Sequence, residues 1–228
     1  ARREPPSSLL STNTYPGKVP MSPRDVAVDP TSNRVYVSDF GGDRLAVIDG
    51  ARAEVFAALP AGAGPGPVAV GVDGGTHRVF AAAYARSAVA VFDGDGRRAL
   101  ASVPVGVGPH AVAVNPATHR VYVANYTDGS LSVLDGETCR VVATVGVEPR
   151  PDGVAADPVL DRVYVSHGAW DGRPGPGRIT MVDGATSTVV VSKAVGDDPW
   201  GIAVDPRTSR VYVANHAGNS LSILQDQP

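Results

Sequence analysis

An acid–base site needs an imidazole that titrates near neutral pH, a carboxylate to orient it and a cation to grip a substrate anion. This chain offers all three. His110 and His167 are the candidate proton-transfer pair, and Asp39, Asp25 or Asp152 could orient an imidazole. Arg24 could hold a carboxylate, and Tyr84 or Tyr126 could donate a proton or a hydrogen bond. Asn125, Trp200, Asn215 and His216 add amide and ring surfaces beside them. Such a set suits proton abstraction next to a carbonyl: elimination, isomerisation or cyclisation of a small organic substrate. The expectation is a catalytic group of His110, His167, Asp39 and Asp152. The substrate-binding shell would be Arg24, Asp25, Tyr84, Asn125, Tyr126, Trp170, Trp200, Asn215 and His216.

These residues are spread over most of the chain, so a repeating scaffold must bring them together. The pattern P-x-x-V-A-V-D-P-x-T-x-R-V-Y-V-A-N starts at Pro23, Pro67, Pro109, Pro151 and Pro199. That period, roughly 42 to 48 residues, is the one expected of four-stranded propeller blades. In the third copy, "AVAV" (111–114), "RVYVAN" (120–125), "SLSVLDG" (130–136) and "RVVATV" (140–145) read as four successive strands. The Asp-Gly pair that closes the third of them predicts a two-residue hairpin turn. No segment shows a helical period.

"VAVNPATHRVYVAN", "IAVDPRTSRVYVAN" and "VAVDPTSNRVYVSD" resemble the YVTN-type β-propeller repeat over nearly the whole chain. The resemblance implies an all-β propeller fold, and the count of copies makes it a five-bladed β-propeller with four antiparallel strands per blade. One domain, 1–228, would hold repeats near 23–62, 63–106, 107–148, 149–196 and 197–228. The fifth copy stops after its third strand, so residues 8–17, "SLLSTNTYPG", are expected to complete the last blade and close the ring. By habit of the family such a propeller would be secreted and would present its loop face to a ligand. A cytoplasmic location follows instead if Ala1 succeeds a removed initiator Met.

Columns that repeat in every copy describe scaffold. Arg34, Arg78, Arg120, Arg162 and Arg210 form one such column, and Asp29, Asp73, Asn115, Asp157 and Asp205 another. His77 and His119 lie in the same turn as these residues and are read as scaffold. A ligand is not five-fold symmetric, so a site belongs where the copies differ. The residue after the repeat's proline is Arg24, Val68, His110, Asp152 or Trp200, followed by Asp25, Ala69, Ala111, Gly153 or Gly201. The second strand ends on Asp39, Ala83, Asn125, His167 or Asn215, followed by Phe40, Tyr84, Tyr126, Gly168 or His216. In an antiparallel pair these four columns meet at one rim. The fourth copy also carries an insertion after His167, "GAWDGRPGPGR", which would hold Trp170, Asp171 and Arg173 above that rim as a lid.

Composition narrows the classes. A net charge of −3 with 19% charged residues argues against nucleic acid, which needs a clustered basic face. No apolar run approaches the roughly 18 residues of a membrane helix. Cys139 is the single cysteine, so no internal disulfide and no thiolate zinc site can form. No cofactor is expected. The metal alternative, a divalent ion on His110, His167 and His216 with Asp39 or Asn125, has no HxH or HxxxH spacing behind it. The partner is thus a small-molecule ligand taken up by a monomer, with a non-catalytic binding module as the competing class.

Overall fold

The structure, a computed structural model, describes residues 22–61, 66–168 and 176–226. These form five antiparallel sheets, one per sequence repeat, each a simple meander. The first holds β1 (Pro23–Asp29), β2 (Arg34–Asp39), β3 (Arg44–Asp49) and β4 (Glu54–Pro60), and the second β5 (Pro67–Asp73), β6 (Arg78–Ala83), β7 (Ala88–Asp93) and β8 (Ala99–Pro104). The third holds β9 (Pro109–Asn115), β10 (Arg120–Asn125), β11 (Ser130–Asp135) and β12 (Arg140–Gly146). The fourth holds β13 (Pro151–Asp157), β14 (Arg162–His167), β15 (Pro176–Asp183) and β16 (Thr188–Asp197). The fifth has three strands among the described residues: β17 (Pro199–Asp205), β18 (Arg210–Asn215) and β19 (Ser220–Gln225). Residues 8–17, expected to supply its fourth strand, lie outside the described residues. No helix among the described residues is long and apolar enough to cross a membrane.

Alternation along each strand gives a sheet two apolar faces, and consecutive sheets bury them against each other. Tyr36, Leu45 and Val47 of the first sheet pack on Val70, Val79, Ala81 and Phe92 of the second. The same positions recur as Phe80, Val89 and Val91 against Val121, Val123 and Leu134. Tyr122, Leu131 and Val133 then meet Val163, Val165 and Val182, and Tyr164 and Ile179 meet Val211 and Val213. No such cluster joins the fifth sheet to the first among the described residues. Val26 and Val28 on one end face are 58% and 59% exposed, and Leu221 and Ile223 on the other 57% and 59%.

The turns show what the invariant columns do. Asn33, His77, His119, Asp161 and Ser209 occupy one turn position, and all five adopt left-handed backbone with φ between 47° and 55°. The Asp135-Gly136 pair does not make the two-residue hairpin expected from sequence. It opens a four-residue loop between Asp135 and Arg140, in which Asp135 accepts from the N–H groups of Glu137 and Thr138 at 3.1 and 2.8 Å and holds the chain in a wider turn. The glycine is required for another reason. A Cβ on Gly136 would stand 2.6 Å from the carbonyl oxygen of His119, to which the Gly136 N–H donates. His119 also faces the buried carboxylate of Asp73 in the preceding sheet, Nδ1 to Oδ2 at 3.0 Å, and Asn115 makes the like contact to Asp161 at 2.8 Å. Arg78 bridges to the next sheet, donating to the Gly136 and Glu137 carbonyls and lying 3.3 Å from the Cys139 sulfur, whereas Arg120 and Arg162 bond Asp135 and Asp183 within their own sheets.

Candidate functional site

The start of each first strand pairs with the end of the second: Pro23 with Asp39, Pro67 with Ala83, Pro109 with Asn125, Pro151 with His167 and Pro199 with Asn215. Immediately after each proline the register breaks. Arg24, Val68, His110 and Asp152 are each an extra residue with no partner across the ladder, and in the fifth sheet Trp200 and Gly201 are both skipped. A bulge of this kind re-aims a side chain that strict alternation would send to a sheet face. The column that varies most in chemistry is therefore the column freed from the ladder in all five sheets.

Three of these bulged residues meet three side chains that follow the second strands. Arg24, Val68 and His110 join Phe40, Tyr84 and Tyr126 to line a cavity of about 450 Å³ at the mouth of the first three sheets. Tyr84 lies in a short 3-10 turn, Tyr84–Arg86, that follows β6. The His110 ring is edge-on to Tyr84, with centroids 6.3 Å apart, and tilted against Tyr126 at 5.7 Å. The Arg24 guanidinium lies 5.0 Å above the Phe40 ring, a cation–π placement.

Below this cup a channel of about 420 Å³ runs between the first strands of all five sheets, with Asp25, Ala69, Ala111, Gly153 and Gly201 among its lining. This column is small because neighbouring first strands approach closely. A Cβ on Gly153 would stand 2.4 Å from the carbonyl oxygen of Trp200. Asp25 is the exception, and it ties two sheets: Oδ2 accepts from the N–H of Val70 and Oδ1 from that of Val26, each at 2.9 Å.

His110 is held by Asp152 of the next sheet, Nδ1 to Oδ1 at 2.7 Å, with the Asp152 carbonyl oxygen at 3.2 Å. Burial penalises the charged ring, but the hydrogen bond and charge of Asp152 outweigh it and raise the imidazole above its ordinary range. Nε2 is the nitrogen that Asp152 does not engage. The geometry suits proton exchange or hydrogen bonding with a ligand in the cup.

Of the remaining candidates, Trp200 lines the channel with Arg24 and His110, and the others are placed elsewhere. His167 is not brought to His110. It lines a separate cavity of about 200 Å³ with Glu148, Pro149 and Arg178, and burial pushes it down to about 4. Its column, the last residue of each second strand, turns into the sheet interior. Asp39 is buried and accepts from the N–H groups of Ser22 and Gly42 at 2.8 and 3.1 Å. Asn125 donates to Ser130 and Ser132 at 3.0 and 2.9 Å, and Asn215 to Ser220 and Ser222 at the same distances. Asp39, Asn125 and Asn215, expected in the site, thus pin strand ends and do not line the cup, and His167, expected beside His110, stands in its own cavity. Trp200 and His216 stack on one another, centroids 3.9 Å apart at 9°, with His216 3.4 Å from Asp198. Trp170 lies outside the described residues, as do Asp171 and Arg173. The three histidines of the metal alternative thus have three different settings, and no group of three metal-ligating side chains occurs among the described residues.

No family model matches this sequence, and no curated protein matches it. Among solved structures, the chain is similar to Kuenenia stuttgartiensis hydrazine synthase, with a TM-score of 0.77 at 16% identity over 90% of this chain. It spans 58% of that hydrazine synthase chain. It is also similar to a functionally unknown protein from Desulfotomaculum acetoxidans, with a TM-score of 0.71 at 13% identity, covering 89% of this chain and 68% of that one. At such identities the likeness carries the propeller-like fold and nothing of the chemistry.

Proposed function

We propose that the five sheets are blades of a closed five-bladed propeller and that the cup at its mouth binds a small organic molecule. One observation carries the binding reading: two side chains from each of three sheets converge on one cavity, four of them aromatic or apolar and two able to carry positive charge. A volume of about 450 Å³ lies within the range of about 300–1,000 Å³ usual for small-molecule sites. Closure draws support from the end faces, since Leu221 and Val26 hold the repeat positions that Leu45 and Val70 hold in the buried junction between the first two sheets. In this reading residues 8–17, which lie outside the described residues, would complete the last blade beside β19.

Binding is the primary role in this reading because, among the described residues, no second histidine or carboxylate faces His110 across the cup. A catalytic version is favoured by the His110–Asp152 contact alone. His110 would then shuttle a proton at Nε2 in an isomerisation or elimination, with Tyr84 or Tyr126 holding the substrate. The test is a thermal-shift screen of small organic acids, amines and neutral aromatics on the wild-type chain and on Tyr126→Ala. Ligands of the cup raise the melting temperature of the wild type and lose that effect in the variant. Stabilisation that persists undiminished in Tyr126→Ala contradicts the assignment.

A further inference from the structure

We infer that the cup takes an aromatic or apolar molecule bearing a single negative charge, a monocarboxylate whose carboxylate lies against Arg24. The inference rests on reading the cup as a ligand site and adds the ligand's chemical class. It comes from a charge count around one cavity. Among the described residues six side chains line the cup, and none of these is a carboxylate. Arg24 is cationic at any relevant pH. Its guanidinium lies over Phe40, and no carboxylate pairs with it among the described residues. The nearest acidic neighbour in sequence, Asp25, has its two oxygens committed to the N–H groups of Val26 and Val70. The other cation-capable group, His110, already has its counter-charge in Asp152 at 2.7 Å. With His110 paired to Asp152, Arg24 is the cation of the cup that has no carboxylate partner among the described residues, and it faces an apolar wall.

The walls fix the rest of the molecule. Phe40, Tyr84, Tyr126 and Val68 present ring faces and a branched aliphatic side chain, so the body of the ligand is flat or greasy rather than a sugar or a polyphosphate. Such a wall alone would also suit a quaternary ammonium group, the usual guest of an aromatic cage. Arg24 excludes that choice, because a second cation in the same cavity meets like charge. A dianion would leave one charge without a partner, since His110 has already been neutralised.

The experiment uses three molecules with one ring body and different charges: indole-3-acetate, indole-3-acetamide and tryptamine. Each is titrated calorimetrically at pH 7 against the wild-type chain, Arg24→Gln, Arg24→Lys and Tyr126→Ala. Arg24 is exposed at the cup edge, so its replacement leaves the core intact. The expected result is that the acid binds wild type roughly tenfold or more tighter than the amide, as one charge-assisted contact provides, and that the amine binds worst. That preference falls to within about twofold in Arg24→Gln and is partly kept in Arg24→Lys. Tyr126→Ala weakens all three. Equal binding of the three molecules that still depends on Tyr126 overturns the charge assignment and leaves the cup as a binding site. Binding indifferent to Tyr126, or no binding of any of the three at millimolar concentration, overturns the ligand class and the cup together.

Discussion

His110 and Asp152 occupy the same bulged position in adjacent sheets, and their side chains meet with Nδ1 2.7 Å from Oδ1. One register break, repeated at every first strand, thus delivers an imidazole to the cup and a carboxylate to hold it. The titration of His110 follows from that contact. Its folded-state pKa is raised, so the ring keeps its proton to higher pH than a histidine in the unfolded chain. The stabilisation is complete below the unfolded value of about 6.5 and is lost as pH rises through the folded value. An NMR titration of the ring protons should place His110 above 6.5 in the wild type and lower it in Asp152→Asn. An unchanged midpoint in the variant would separate the two residues.

His167 carries the opposite slope. Burial pushes it down to about 4, so between about pH 6.5 and pH 4 the unfolded chain takes up a proton that the folded chain refuses. Its contribution is complete above the unfolded value and is lost as pH falls towards the folded one. At about 1.36 kcal/mol per unit, the loss over that window is on the order of 3 kcal/mol. Urea unfolding at pH 7 and pH 4.5 should show a smaller fall in stability for His167→Asn than for wild type.

Asn125 is fully buried and bonds Ser130 and Ser132. Asn125→Ala should cost about 1–3 kcal/mol, the usual result of leaving buried polar partners unmet. Affinity for cup ligands should stay unchanged, because the amide points into the sheet. The two effects are read by chemical unfolding and by calorimetric titration on the same sample.

His119 is a turn residue with φ of 54° and its ring on Asp73. His119→Asn, which tolerates left-handed backbone, should fold nearly as well as wild type, whereas His119→Val should lose roughly 1–2 kcal/mol or more. Neither variant should alter ligand binding, and His110→Ala should weaken it. A His119 variant that lost binding with its stability intact would move the site to the other end of the hairpin.

The repeat made much of this architecture legible. The recurring strand pattern marks five sheets, and the aspartate and arginine columns mark their turns. The column after each proline pointed to the cup because Arg24, Val68, His110, Asp152 and Trp200 share no chemistry. Divergence also misled. The column of Asp39, Ala83, Asn125, His167 and Asn215 varies as well, yet it is buried and follows the interior neighbours of each sheet. A signal for this was present: the two copies that end the second strand in asparagine are the two that open the third with Ser-x-Ser, at Ser130 and Ser132 and at Ser220 and Ser222. Phe40 and Val68 stand in the divergent columns but carry no titratable group and are absent from the expected binding shell, although the cup needs their apolar surface. The bulge itself leaves no mark in residue type.

Ring closure is tested at the end faces. Val26 and Leu221 are more than half exposed. Val26→Asp and Leu221→Asp should each destabilise by about 2 kcal/mol or more if the fifth sheet packs on the first, since either charge would then be buried without a partner. Changes within about 0.5 kcal/mol, as at ordinary surface positions, would mean that the two faces stay apart.

Ligands are expected to enter between Arg24, Tyr84, His110 and Tyr126, which crystals soaked with a set of small aromatic acids, amides and amines can show. Acids should seat in this cup, within hydrogen-bond distance of Arg24 and in contact with Tyr126. Fragments gathered on the Trp200–His216 stack or beside His167, with the cup left unoccupied, would contradict this placement.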